Sequence, residues 1–337
     1  MADLSVNYLG MTLKNPLVPS ASPLSKQLDS ARHLEDAGAA ALVMYSLFEE
    51  QILAQERQYE RFVQHSSLGH AEASSFLPDQ PEYLNSLDKY LEHLQGLKAH
   101  LDIPVIASLN GISEQGWVDY GKELQAAGAD ALELNVYYVA ADINESAADV
   151  ERRYLDVLLK LKLAVSIPVA IKLSSQYSSP LHFAGHLQKA GASALVLFNR
   201  FYQSEINLQT LEVEPALQLS SPYESLLRIR WAAMLQGALD IDLAVTGGFH
   251  QSDDIVKALL AGTDVVQLCS VLLQHGPSRL DELLTELNSW LDENEYTSVK
   301  QMQGSLSYRN AADPAAYERE NYLSVLDSFT PPPGVRY

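Results

Sequence analysis

The chain has 337 residues, 47% of them hydrophobic, and a formal net charge of −20. That length accommodates one large domain or two, and the apolar content is ordinary for a soluble globular protein. The acidity argues against nucleic acid and anionic membranes as main partners, so an anionic ligand would need a locally positive or N–H-rich site. No run of 18 or more apolar residues occurs, so no membrane-spanning helix is expected. The start, MADLSVNYLG, lacks a basic segment followed by an apolar core, and no signal peptide is expected. A single cysteine, Cys269, excludes a disulfide within the chain and fits a cytoplasmic location.

In chain order, short apolar runs predict strands at Leu17–Ser20, Ala40–Tyr45, Val105–Leu109, Ala131–Asn135, Val169–Leu173, Ala194–Phe198, Leu243–Thr246 and Val265–Leu268. Continuous Val, Ile, Leu and Ala suit parallel strands covered on both faces. Helices are predicted between them, among them Glu114–Ala127, Ala147–Leu163, Pro180–Ala190, Pro222–Gly237 and Asp253–Ala261. An Ala-Gly-small pattern before several strands, as at Ala190-Gly-Ala-Ser and Ala261-Gly-Thr-Asp, places glycine where a helix ends left-handed. Eight strand–helix units point to an α/β (β/α)₈ barrel. A doubly wound open sheet is the alternative, but the G-x-G-x-x-G turn is missing after the first strand. Insertions at Phe48 to about Tyr83 and at Asn199–Ser221 follow strand ends and should cover the mouth of the barrel. The expected division is a barrel over 1–295 and an extension over 296–337. That extension holds a short helix, Pro314–Leu326, and packs on the barrel or on a partner subunit.

Residues at strand C-termini build the site in a barrel of this kind. Those positions carry Ala21 and Ser22, Tyr45 and Ser46, Asn110, Asn135 and Tyr138, Lys172, Asn199, Gly247 and Gly248, and Cys269 and Ser270. The stretch VTGGFHQSDDIVKALLAGTDVVQLCS reads strand, Gly-Gly, helix, strand and small-residue turn. Gly247 and Gly248 let backbone approach a ligand closely. Backbone N–H groups at the last two strand ends suit a phosphate. Lys172 closes the apolar strand VAIKL, where an unpaired charge is costly. Its partner would be a ligand phosphate, a reduced flavin ring or a carboxylate such as Glu133. Asn110, Asn135 and Asn199 aim amides at the same opening, which suits a hydrogen-bond-rich heterocycle. The nine histidines show no HxH or HExxH spacing, so no metal site is expected. His250 reads as a loop residue. The main offer of Cys269 is its backbone N–H. No G-x-S-x-G elbow is present.

With Asn15-Pro16, LELN at 132–135, AIKL at 170–173, Phe198-Asn199, VTGG at 245–248 and VQLCS followed by QHGPS, the chain resembles the dihydroorotate dehydrogenase family. The resemblance runs from LGMTLKNPLVPSAS to LTELNSWLDE. It implies an FMN-dependent oxidoreductase and suggests a homodimer. Lys172 should lie by the flavin pyrimidine edge, and Asn110 and Asn135 should contact the flavin. Ala21, Ser22 and Ser46 should line it, and Gly247, Gly248, Cys269 and Ser270 should hold its phosphate. Asn199 and Tyr45 should face the substrate.

The departures fall on the substrate side. After LELN the family carries Ser-Cys-Pro-Asn or Ser-Ser-Pro-Asn, whose Cys or Ser removes a proton. Here the run is Val136-Tyr137-Tyr138-Val139-Ala140. Tyr138 occupies the base position, Ala140 replaces a substrate-binding Asn, Tyr45 replaces a lysine, and Ala73 stands where a loop Asn is usual. A tyrosine hydroxyl titrates near 10 and needs a depressing neighbour to act as a base; Lys172 is the candidate. The first expectation is therefore a small-molecule oxidoreductase with an altered substrate and an unspecified electron acceptor. Two alternatives stay open within the family: genuine dihydroorotate oxidation in pyrimidine biosynthesis, and an FMN-binding electron carrier without a substrate of its own. A flavin-free barrel with Lys172 as Schiff base is a third. There is no CxxC cluster, so any iron–sulfur centre would belong to a partner.

Overall fold

The computed structural model describes residues 2–54, 86–111, 114–200, 203–318, 322, 325, 328 and 330–331. Its main sheet contains eight parallel strands that curl into a barrel. They are β3 (Leu17–Pro19), β4 (Leu42–Val43), β6 (Val105–Asn110), β7 (Ala131–Asn135), β8 (Val169–Leu173), β9 (Ala194–Leu197), β12 (Asp242–Thr246) and β13 (Val265–Leu268). The hydrogen-bonded order is β3-β13-β12-β9-β8-β7-β6-β4. The backbone N–H of Ala40 donates to the Leu17 carbonyl at 3.0 Å and brings the two ends of the sheet together. Helices alternate with the strands, as the spacing of apolar runs predicts.

One sequence expectation needs correction. The second strand is not continuous over Ala40–Tyr45: it breaks after Val43 and resumes as β5 (Leu47–Phe48), which pairs with β6. The break has a local cause. The Tyr45 backbone N–H donates to Ser25 Oγ at 2.7 Å instead of to a neighbouring strand. Of the helix expected at Pro314–Leu326, Pro314–Tyr317 form a 3-10 turn that ends on extended Glu318, and Tyr322 and Val325 are helical; the other positions between Glu318 and Leu326, and Leu326 itself, lie outside the described residues.

Some elements lie outside the strand–helix alternation. An antiparallel hairpin, β1 (Val6–Tyr8) with β2 (Met11–Leu13), lies across the N-terminal end of the barrel. Its Leu9 N–H donates to Asp242 Oδ2 at 2.6 Å, and Tyr8 is fully buried. A second hairpin, β10 (Ser204–Asn207) with β11 (Glu212–Pro215), follows the sixth barrel strand and stands in solvent. Beyond Tyr296 the chain is laced back to the barrel. Gly304 N–H donates to the Leu259 carbonyl, Leu306 N–H to Leu260 and Tyr308 N–H to Ala233, each at 2.9 Å. The left-handed helix end appears as read, for example at Gly262 (φ +110°) after the helix Ser252–Ala261.

Candidate active site

At the barrel axis, four buried polar side chains satisfy one another. Lys172 Nζ donates to Glu133 Oε1 at 3.1 Å and to Ser20 Oγ at 3.4 Å. Ser20 Oγ donates to Gln267 Oε1 at 3.2 Å, and Gln267 Nε2 donates to Glu133 Oε2 at 2.7 Å. All four are buried. The strands explain the convergence. Positions two apart share a face, so Glu133 and Asn135 both point inward from β7, and Asn135 sits level with Lys172 on β8. Of the partners considered for Lys172, the carboxylate Glu133 lies within hydrogen-bond reach. A buried ion pair returns little net stability for its desolvation, so the quartet invites a reason other than stability.

Around this ring, Asn199 Nδ2 donates to Asn135 Oδ1 at 2.6 Å. Two of the three expected amides therefore already touch, and Asn110, buried at the end of β6, follows one residue after the Leu109–Leu134 pair. Ser46 Oγ lies 2.8 Å from Ser108 Oγ. The Ser22 side chain is used within its own turn. Its Oγ accepts from Leu24 N–H at 3.3 Å and caps the 3-10 turn Pro23–Lys26. Ala21 is half-buried beside it. Tyr45 packs edge-on against Tyr90, ring centroids 4.9 Å apart, with the Lys26 ammonium 5.3 Å from its own centroid. Burial pushes the Tyr45 hydroxyl up from its ordinary value.

The expected phosphate turn lies between two strand ends and a connection. Gly247 and Gly248 have φ of +90° and +96°, which other residues rarely adopt. A Cβ on Gly248 would lie 2.4 Å from the Ser225 backbone N, so the turn is pressed against the start of the helix Ser225–Gln236. Gly248 N–H donates to Ser220 Oγ at 3.1 Å, and Ser220 Oγ donates to Ser270 Oγ at 2.8 Å. His250 Nε2 is 2.8 Å from the Ser220 carbonyl, consistent with a loop role. Burial pushes the Cys269 thiol up, away from thiolate chemistry. Beside the turn, buried Arg228 donates from Nε to the Thr246 carbonyl at 3.0 Å and from Nη1 to the Glu224 carbonyl at 2.8 Å.

Tyr138 is engaged by a carboxylate and a guanidinium that follow it in the chain. Its hydroxyl donates to Glu145 Oε2 at 2.6 Å, and the Arg153 guanidinium sits 3.9 Å over its ring. Arg153 Nη2 in turn contacts Glu145 Oε1 at 2.5 Å. The hydrogen bond to Glu145 raises the Tyr138 pKa above its ordinary value, the direction opposite to the depression expected from Lys172. A base must accept a proton, and this hydroxyl is held as a donor. Val139 and Ala140 are exposed. Ala73 lies outside the described residues.

A family model described as dihydroorotate dehydrogenase matches residues 80–291. The chain belongs to the dihydroorotate dehydrogenase family. Among curated relatives, the catalytic subunit of dihydroorotate dehydrogenase B (NAD(+)) from Thermoplasma acidophilum is 25% identical over 322 residues, covering 90% of this chain and 99% of that protein. Its counterpart from Halalkalibacterium halodurans is 24% identical, covering 84% and 95%. Dihydroorotate dehydrogenase A (fumarate) from Limosilactobacillus reuteri is 24% identical, covering 86% and 93%. Dihydroorotate dehydrogenases are FMN-dependent flavoproteins, so the chain is an oxidoreductase of that kind. The donor set fits the cofactor: a buried ammonium and inward amides suit a heterocycle's polar edge, and a Gly-Gly turn beside a buried guanidinium suits a phosphate.

Sequence reasoning missed Gln267, Ser220, Arg228 and the Glu145–Arg153 pair. Gln267 carried a usable signal, because a polar residue inside VVQLC parallels Lys172 inside VAIKL. Ser220 and Arg228 carried none. They sit on the long connection after the sixth strand and in the following helix, away from any strand end.

Proposed function

We propose that this chain is an FMN-dependent oxidoreductase that removes two hydrogens from a CH–CH unit of a small, planar or carbonyl-conjugated compound other than dihydroorotate. The observation that carries the reading is the contrast between Lys172, buried and ordered at the barrel axis, and Tyr138, whose hydroxyl is committed to Glu145. Bound in the barrel, the flavin would supply the hydride acceptor. Lys172 would stabilise negative charge on its pyrimidine edge, with Glu133 and Ser20 fixing the ammonium. Asn110 and Asn135 would hold the ring, and Ala21, Ser22 and Ser46 would border it. Gly247, Cys269 and Ser270 would present N–H groups to the phosphate, joined by Gly248 once its N–H leaves Ser220 Oγ. Asn199 and Tyr45 would face the substrate.

Proton removal is the step for which the chain offers no ready group at the family's position. Tyr138 would have to give up its bond to Glu145 before accepting a proton. A substrate whose proton is more acidic, or which loses it to water, removes that demand.

Genuine dihydroorotate oxidation is the second reading, favoured by the names of the relatives over most of the chain. An absorbance spectrum of the purified protein before and after anaerobic addition of dihydroorotate separates the two. Flavin bands that persist over minutes support the altered substrate. Bleaching at an enzymatic rate establishes dihydroorotate oxidation and overturns it. Absence of flavin, even after FMN addition, overturns both.

A further inference from the structure

Two arginines and one carboxylate form a cluster beside the Gly247–Gly248 turn. Glu224 Oε2 is 3.2 Å from Arg200 Nε and 3.8 Å from Arg228 Nη2. Two cations share one anion, so the cluster keeps one net positive charge in a chain of net charge −20. Arg228 is the buried member. Its Nε and Nη1 are used on the Thr246 and Glu224 carbonyls, which fix the plane of the guanidinium. Nη2 is left with the 3.8 Å ion pair, longer than a hydrogen bond. A Cβ on Gly247 would lie 3.2 Å from that same Nη2, so the spare N–H groups border the turn directly.

A guanidinium stays charged even when buried, and burying a charge is costly without a partner. Glu224 is shared, hence incomplete as that partner. A phosphate at the turn would complete it, accepting from Arg228 in the way guanidinium groups favour.

We propose that Arg228 binds the phosphate of the flavin nucleotide and gives this chain its preference for the phosphorylated cofactor. The proposal rests on the flavin reading above. Its test is binding of FMN and of riboflavin, which lacks the phosphate, to the flavin-stripped full-length chain, followed by flavin fluorescence. In Arg228→Met the Kd for FMN should rise roughly 10- to 100-fold, the loss expected for one charge-assisted hydrogen bond, and that for riboflavin should hold within about twofold. Glu224→Gln removes the competing carboxylate and should increase the preference for FMN over riboflavin, a direction that a packing role would not produce. If Arg228→Met does not fold, Glu224→Gln and Arg228→Lys decide the matter, the lysine variant retaining most of the preference. Equal weakening of both ligands, or an unchanged FMN affinity, overturns the proposal. Binding of both ligands with equal affinity by the unaltered chain overturns it while leaving the flavin reading intact. Binding of neither overturns the two together.

Discussion

The barrel axis and the loop after β7 solve the same problem in opposite ways. At the axis, Ser20, Glu133, Lys172 and Gln267 are buried and bond to one another, on or just past four barrel strands. After β7, Tyr138, Glu145 and Arg153, the last on the helix Ala147–Ala164, also bond to one another; they are part-buried, and the loop around them is 57% exposed at Val139 and 97% exposed at Ile143. The same ingredients, a carboxylate, a cation and a neutral donor, therefore carry different weight. In low dielectric an unpaired member is expensive; in solvent water replaces it at little cost. The axis resists change, and the loop tolerates it with less cost to the fold.

The largest expected effect follows from breaking the axis. Lys172→Met leaves Glu133 buried without its cation, and stability should fall by about 3–5 kcal/mol in urea unfolding. Adding Glu133→Gln should return much of that loss, because the orphaned charge is removed. If the single variant unfolds like the unaltered chain, the quartet is more hydrated than its burial implies and the comparison fails.

Gly248→Ala tests how rigid the phosphate end is. A side chain at φ +96° is strained by about 1–3 kcal/mol. The new Cβ would also meet Ser225 N at 2.4 Å, which neither backbone segment can easily yield. A loss of about 3 kcal/mol, with weakened FMN binding, is expected in parallel unfolding and titration experiments. A loss below about 1 kcal/mol would place this turn with the adaptable loop instead of the rigid axis.

How much of this was legible in the sequence follows the same division. All eight barrel strands could be read, because apolar runs and helix-ending glycines are local signals. Lys172 could be read because a charge inside VAIKL violates the strand's own pattern. The break in the second strand could not, since it depends on Ser25 Oγ reaching Tyr45 N–H from another connection. Arg228 belongs to a helix whose pattern alone gives no hint that one side chain turns back to Thr246. The fate of Tyr138 depends on residues 7 and 15 positions further along, which a motif comparison at 136–140 does not reach.

The barrel floor supplies a contrast with both regions. Burial, with the nearby Asp242 carboxylate, pushes Asp264 up to about 6, while the hydrogen bond from Leu243 N–H pulls it down. The folded chain therefore holds this proton to higher pH than the unfolded chain, in which it leaves near 3.9. Stability from this group is complete below about pH 4, falls as pH rises to about 6, and is gone above that, a change of about 3 kcal/mol. Asp264→Asn should flatten the melting temperature across that window. An undiminished slope would assign the pH response to other groups.

The smallest effect belongs to Tyr138→Phe. The hydroxyl is lost from a part-buried triad in which Arg153 and Glu145 still pair, and the ring still lies under the guanidinium. The melting temperature should move by no more than about 2 °C. The more telling readout is the pH profile of flavin reduction by whichever substrate proves competent. A base at this position would make the profile depend on the phenol, and its removal would abolish reduction and the corresponding limb together. A hydroxyl that only donates to Glu145 leaves both in place. Loss of reduction with a melting temperature unchanged would return Tyr138 to the catalytic step and make the loop, exposed as it is, as intolerant as the axis.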